Sequence, residues 1–103
     1  MNAKKLGQIR GEIEAARRKP QKQSDLARIA ERLGRKRYTK RGKEPIWVSP
    51  HKGSMPLSIP YSKGRDLAPG TRNSVLNQLE EDVLVWEEVL AERRDDTEAS
   101  GKN

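Results

Sequence analysis

Cysteine is absent from this sequence of 103 residues, and histidine occurs only once, as His51. The chain can therefore form no disulfide and no thiolate metal site, and one imidazole cannot supply a cluster of histidine ligands. We expect no metal and no other cofactor. The apolar runs are shorter than the roughly 18 residues of a membrane span, and residues 1–5 lack the apolar centre of a signal peptide. These features predict a cytoplasmic protein without a membrane partner.

Apolar side chains are scarce as well. Phenylalanine is missing, and hydrophobic residues make up 32% of the chain against 36% charged residues, so this length supports one domain with a small core. The net charge of +7 is unevenly distributed: residues 1–45 hold fifteen Lys and Arg against five acids, and residues 46–103 hold seven against ten. A basic first half fits a polyanionic partner such as nucleic acid, although basic proteins of other classes share this charge.

Hydrophobic spacing of three and four residues predicts three helices. The first gives way to a basic, polar linker over residues 17–23. The second is expected to begin after Ser24, a good N-cap, and to end at Gly34. The third reaches about Arg93 unless it breaks near residues 80–82. The apolar positions are Leu6, Ile9 and Ile13 in the first helix, Leu26, Ile29, Ala30 and Leu33 in the second, and Val75, Leu76, Leu79, Val83, Trp86 and Leu90 in the third.

Between residues 35 and 59 the spacing changes to short alternating stretches, which predict two or three strands. A turn at residues 50–53 would join two of them, while Pro45 and Pro56, which lack an amide hydrogen, favour strand ends or edge strands. The predicted order is an additional N-terminal helix followed by α-β-β-β-α. This is an α+β sandwich in which helices cover one face of a small sheet, as in double-stranded-RNA-binding domains.

Three segments follow from this pattern. The domain itself spans residues 22–93, after an N-terminal amphipathic helix and basic linker over residues 1–21 and before a flexible polar tail over residues 94–103. The N-terminal helix could cover an apolar strip of the domain, contact a partner or act as a basic RNA-binding arm, and we expect it to pack on the domain. Trp47 and Trp86 have apolar neighbours, so core packing is favoured over stacking on bases.

Local motifs are more specific than the order of elements. Residues 23–26 read Gln-Ser-Asp-Leu, residues 61–67 read Tyr-Ser-Lys-Gly-Arg-Asp-Leu, and Pro-Gly-Thr and Ser-Val-Leu follow at residues 69–71 and 74–76. Together with Arg41 and Gly42, these motifs make residues 22–79 resemble the HicA family of toxins from type II toxin–antitoxin systems. Members of that family are mRNA interferases, metal-independent endoribonucleases that a HicB-type antitoxin holds inactive. The resemblance implies an mRNA or structured RNA as one partner and an antitoxin as another; the chain could also form a homodimer.

The position of the family's catalytic histidine is occupied by Glu44 in this sequence. Histidine suits metal-free RNA cleavage because its pKa lies near neutrality, so that it can take or give a proton. Positive neighbours such as Lys43 favour the ionised form of Glu44, and an ordinary solvated glutamate is the alternative to a replacement base. His51 is the other catalytic candidate, but its place in a predicted hairpin turn favours simple exposure to water. Cleavage and binding alone both stay open.

Eight basic residues are candidate RNA contacts, in two groups. Residues 35–43 hold six positive charges around Tyr38, and arginines on one face of a strand could grip phosphate oxygens. The second group flanks a predicted helix start, where free amides attract phosphate. A solvated basic edge strand and simple capping by Thr71 are the structural alternatives. The candidates are Arg35, Arg37, Lys40, Arg41 and Lys43 in the first group and Lys63, Arg65 and Arg72 in the second.

The predicted third helix carries acidic residues that would repel RNA, which favours a surface facing solvent or a basic partner. They support an alternative function, a regulatory factor that binds an antitoxin-like or host protein. RNA binding is the prediction that the motifs favour. The acidic residues are Glu80, Glu81, Asp82, Glu87 and Glu88.

Overall fold

The computed structural model describes residues 1–39 and 44–101, with side chains as far as Arg93. Two helices come first, three short strands follow, and a long helix ends the described chain. This order confirms the α+β class that the hydrophobic spacing predicts. The elements are α1 (Ala3–Ala16), α2 (Gln23–Arg32), β1 (Lys36–Tyr38), β2 (Ile46–Val48), β3 (Leu57–Ser58) and α3 (Pro69–Gly101).

The sheet is antiparallel and has the order β1-β2-β3, so β2 is its central strand. Trp47 lies opposite Arg37 on one side and opposite Leu57 on the other. Because residues directly opposite each other on paired strands project from the same face, Trp47 and Leu57 share one face, and both are buried beneath the helices. Pro45 and Pro56 directly precede β2 and β3, which are the strand ends predicted for them.

One hydrophobic core joins the inner face of the sheet to all three helices. Helix α1 contributes four buried positions and packs mainly against α3, which confirms the expectation that it packs on the domain. The core role of the two tryptophans is confirmed as well: Trp47 is 1% exposed, and Trp86 packs against the core from α3. The most enclosed side chains are Trp47, Ile9, Ile13, Leu26, Leu33, Leu57, Ile59, Leu76, Leu79 and Val83.

Arg10 of α1 and Arg17, the C-cap of this helix, pair with acids of α3 along the surface where the two helices meet. Arg17 donates to Glu80 Oε2 at 2.6 Å and to Asn77 Oδ1 at 2.9 Å, and Arg10 pairs with Glu87. The basic partner expected for the acids of α3 is therefore, in part, the first helix of the same chain. Such partly exposed pairs contribute only about 0–1 kcal/mol each to stability, but they reduce the unpaired negative charge on α3.

Helix α2 begins earlier than predicted. Its N-cap is Lys22, whose backbone N–H donates to the Asp25 carboxylate at 2.9 Å, and Ser24 lies inside the first turn. The assignment of Ser24 as N-cap is therefore wrong. Lys22 holds that position, and the Asp25 carboxylate accepts the hydrogen bond from its backbone N–H. The predicted end is confirmed, since Gly34 follows the helix with φ +92°, a left-handed conformation that favours glycine.

Helix α3 begins at Pro69, a residue favoured in the first turn, and the Arg72 N–H donates to Ala68 O at 2.9 Å. Thr71 is therefore inside the helix and is not its cap. The helix is unbroken at residues 80–82 and continues past Arg93, so the predicted polar tail is helical as far as residue 101. No proline interrupts that stretch. Within the described chain, no helix is both long enough and apolar enough for a membrane crossing.

Candidate nucleic-acid interface

A tight turn at residues 62–65 presents two of the predicted RNA-contacting side chains. The Arg65 N–H donates to Ser62 O at 2.9 Å, and the intervening Lys63 and Gly64 have φ of 51° and 77°. Positive φ at both central positions matches a type I′ turn. Lys63 occupies the left-handed region at a cost of roughly 1–2 kcal/mol, because its Cβ approaches the following carbonyl. Lys63 and Arg65 are both exposed in this turn.

The loop that contains the turn is tied to the linker between α1 and α2. The Leu67 N–H donates to Gln21 O at 2.7 Å, and Lys22 and Asp66 form an antiparallel backbone bridge. Leu67 is also 8% exposed, so its side chain anchors the loop in the core. These contacts bring Lys22 close to the turn, although the two are far apart in sequence. Lys22 was not among the predicted site residues, since no local motif indicates a bridge of this span.

Arg72, in the first turn of α3, joins the same surface. Its Nη1 donates to Lys19 O at 3.2 Å and its Nε to Asn73 Oδ1 at 3.3 Å, which holds the guanidinium against the linker. We call the cations gathered by these contacts the loop surface. Among the described residues, none of its members forms an ion pair. The loop surface consists of Lys19, Lys22, Lys63, Arg65 and Arg72.

Arg35, predicted as an RNA contact, lies inside the protein instead. Its Nε and Nη2 donate to the two carboxylate oxygens of Asp82 at 2.6 and 2.8 Å, and its Nη1 donates to Trp47 O at 2.9 Å and to Met55 O at 3.1 Å. Arg35 is 5% exposed, and all three guanidinium nitrogens are bonded within the protein. A structural role therefore replaces the expected phosphate contact at this position.

The other candidates of the basic run are divided between β1 and the residues that follow it. Arg37 is exposed, and its guanidinium carbon lies 5.7 Å from the centre of the Trp47 ring, within the range of a cation–π contact. Lys36 and Tyr38 belong to the opposite face of β1, as strand alternation predicts. The predicted contacts Lys40, Arg41 and Lys43 lie outside the described residues.

The two candidate catalytic residues lie at opposite ends of β2. Glu44 is exposed and precedes Pro45 before the strand begins, whereas His51 follows the strand in the turn toward β3. In the described part of the chain, no hydrogen bond or ion pair positions the Glu44 carboxylate. Strand β2 separates the two side chains, so they do not act together as general acid and base on one substrate.

His51 is half-buried, whereas the sequence predicts a solvated turn histidine. Its ring lies edge-on to the Trp86 indole with 4.3 Å between ring centres and 78° between planes, and Nε2 is enclosed without a hydrogen-bond partner among the described residues. Trp86 is fixed in turn because its Nε1 donates to Leu33 O at 2.7 Å. The packing of α3 beneath the turn thus encloses the Nε2 atom of His51.

The arrangement can bind anions, because the loop surface offers ammonium and guanidinium donors with no carboxylate paired to them in the described part of the chain. In the described part of the chain, no hydrogen bond or ion pair links Glu44 or His51 to the cations of the loop surface. Cleavage would require a proton-transferring group held close to the bound RNA. Comparisons with protein-family models, with curated proteins and with solved structures found no match to this chain.

Proposed function

We propose that this chain is a HicA-like RNA-binding protein that acts on mRNA or other structured RNA by binding rather than by cleavage. The observation that supports this best is the loop surface, where five cations from three separate segments meet without an ion pair among the described residues. Such donors form charge-assisted hydrogen bonds with phosphate oxygens. A double-stranded-RNA-binding-domain-like arrangement of elements belongs to the same proposal.

The geometry of the loop surface supports phosphate binding in two ways. The positive φ values at Lys63 and Gly64 close the turn so that the Lys63 and Arg65 side chains extend from it. Arg72 is held by the carbonyl of Lys19, which reduces the entropy that its guanidinium would lose on binding. Two acids lie in the same segments as the five cations, namely Asp25, whose carboxylate accepts the Lys22 N–H, and the exposed Asp66. The surface therefore keeps an excess of positive charge.

Binding without cleavage follows from the positions of Glu44 and His51. The exposed carboxylate of Glu44 has no group to orient it among the described residues, and the Nε2 atom of His51 is enclosed against Trp86. A protein that occupies mRNA tightly can block translation without cutting it. A HicB-type antitoxin would then act by covering the basic surface, which is part of the proposal.

The alternative function, a protein-interaction factor, depends on the acidic residues of the last helix. Glu80 and Glu87 are paired with Arg17 and Arg10, and Asp82 is buried against Arg35. Intramolecular pairing accounts for these three acids without an external partner. The acids of the last helix therefore give less support to a protein-interaction factor, and RNA binding is the function that the described contacts favour.

The salt dependence of RNA binding tests this proposal. Wild type and the double variant Lys63→Gly/Arg65→Ala are titrated into a labelled, partly structured mRNA at several salt concentrations. Removal of each phosphate-binding cation should weaken binding and lower the slope of log K against log salt by about one. Lys4→Ala/Lys5→Ala, which removes two exposed charges from the start of α1, is the matched control and should lose much less affinity. Equal losses of affinity in the two double variants, or none in either, would exclude the loop surface as the binding site.

A further inference from the structure

The outer face of the sheet is free of helices in the described part of the chain. Trp47 and Leu57 face the helices, so the alternate residues of the three strands face the other way. On this outer face, Tyr38 is 54% exposed, and the aliphatic side chains beside it are only half-buried. The outer-face residues are Lys36, Tyr38, Ile46, Val48 and Ser58.

Strand pairing arranges these side chains in two rows. Tyr38 lies opposite Ile46, which lies opposite Ser58, and Lys36 lies opposite Val48 in the next row. Because neighbouring strands are about 4.8 Å apart, the first row extends for roughly 10 Å across the sheet. A groove of about 220 Å³ adjoins Tyr38 and is lined by Gly34, Lys36, Tyr38, Val48, Ser49 and Pro50.

The chemistry of this face combines an aromatic ring, aliphatic neighbours and one cation. Lys36 is exposed and forms no ion pair among the described residues, and none of the five outer-face residues is acidic. Ser49, at the groove, accepts a hydrogen bond from the His51 N–H at 3.0 Å, so its hydroxyl hydrogen stays available to a ligand. An exposed ring next to a cation is the combination by which proteins hold single-stranded nucleic acid, with a base on the ring and a phosphate on the cation.

We propose that the outer face binds a single-stranded segment of RNA, with one base stacked on Tyr38 and a neighbouring phosphate on Lys36. This inference rests on the proposed RNA-binding function and specifies its substrate as RNA with unpaired bases. Bases within a duplex are stacked on each other and present only their edges, so a duplex cannot place a base on the ring. The loop surface, by contrast, contacts phosphates and accepts either form of RNA.

The two surfaces are connected through the chain. Ser58, at the end of the Tyr38 row, lies in β3, and the chain passes from β3 directly into the loop with the turn at residues 62–65. An RNA with a duplex next to an unpaired stretch can therefore contact both surfaces. Such an RNA should bind more tightly than either form alone, because the second contact is intramolecular once the first has formed.

A single-stranded RNA that contains the fluorescent base 2-aminopurine, alone or annealed to its complement, tests the inference. In wild type, stacking on the tyrosine should quench the fluorescence of the single strand. Tyr38→Val keeps a residue suited to a strand but removes the ring, and it should weaken single-strand binding roughly tenfold. Tyr38→Phe keeps the ring and should retain most of the quenching and affinity. Duplex binding should not change in Tyr38→Val.

Several outcomes would overturn the inference. Single-strand affinity in Tyr38→Val equal to that of wild type would show that no base stacks there, and equal losses for single strand and duplex would show a general defect. A dimer that dissociates in Tyr38→Val, measured by sedimentation, would make the face a contact between copies of the chain. If Lys63→Gly/Arg65→Ala weakens binding while Tyr38→Val does not, the proposed function stands and the outer-face site fails. If wild type binds no RNA, both fail.

Discussion

Arg35 and Asp82 form a bidentate ion pair inside the protein, with Nε to Oδ2 at 2.6 Å and Nη2 to Oδ1 at 2.8 Å. The pair links the start of β1 to the middle of α3, and the remaining Arg35 nitrogen bonds to the carbonyls of Trp47 and Met55. The side chains are 3% and 7% exposed, so solvent does little to screen them. One arginine thus connects the strands to the helix that covers them.

Removal of either partner should be strongly destabilising. Asp82→Ala leaves the guanidinium buried without its counter-charge, and we expect a decrease of about 3–5 kcal/mol in the free energy of unfolding. Urea unfolding, monitored by circular dichroism, measures this decrease. The double variant Arg35→Met/Asp82→Leu should lose less stability than the sum of the single variants Arg35→Met and Asp82→Leu, because no unpaired charge remains. Additive losses would contradict a direct pair.

The first helix should be an integral part of the fold. Ile9 is fully buried between α1 and the rest of the core, so Ile9→Ala should cost about 2–5 kcal/mol through reduced burial and a residual cavity. Thermal and urea unfolding would show it as a single cooperative shift. Gln8→Ala, at the exposed neighbouring position, is the control and should stay within about 0.5 kcal/mol of wild type. Similar stability for the two variants would mean that α1 is not packed as described.

Substitutions in the turn at residues 62–65 should change stability and RNA binding independently of each other. Lys63→Gly relieves the left-handed strain, and since glycine also gains entropy in the unfolded chain, stability should change by less than about 1 kcal/mol. RNA affinity should nevertheless fall, because one cation of the loop surface is gone. Gly64→Ala should do the reverse: it keeps every charge and destabilises by about 1 kcal/mol, since its φ is 77° while its added Cβ meets no atom within 4 Å. Parallel changes in affinity and stability in both variants would argue against this division.

His51 should be a packing residue. Replacement by alanine removes the edge-on contact with Trp86, so the fluorescence of Trp86 should change and stability should fall by about 1 kcal/mol, in the range of aromatic pairs. RNA affinity at constant salt should stay within about twofold of wild type, since His51 is not part of the loop surface. Weaker RNA binding without a change in stability would assign His51 to the site instead.

Local chemistry explains what could be predicted of the fold. The three-to-four spacing of apolar residues predicts the helical faces, and Gly34 marks the end of α2 through its own backbone preference. The features that sequence reasoning missed depend on residues distant in sequence. Arg35 looks like one more cation of a basic strand until Asp82 is brought beside it, and His51 looks exposed until Trp86 packs below the turn.

The candidate site likewise combines residues that local motifs indicate with residues that only the fold brings close. Lys63, Arg65 and Arg72 could be singled out because they stand within or beside short motifs around glycines. Lys22 joins them only through its backbone bridge to Asp66, and Lys19 only through its carbonyl contact with Arg72. Neither contact belongs to a sequence motif or to a periodic pattern, so the sequence alone does not indicate it.

The most direct test of RNA binding without cleavage uses a labelled, partly structured mRNA in EDTA, with complex formation and strand integrity recorded in the same samples. Wild type, Glu44→Ala, His51→Ala and Glu44→His are compared. We predict that wild type and both alanine variants shift the RNA and leave it intact, because no described contact orients the Glu44 carboxylate and the His51 Nε2 is enclosed against Trp86. Intact RNA that never shifts would contradict binding. RNA that wild type cuts, and that Glu44→Ala or His51→Ala leaves whole, would contradict the absence of cleavage and identify the residue responsible.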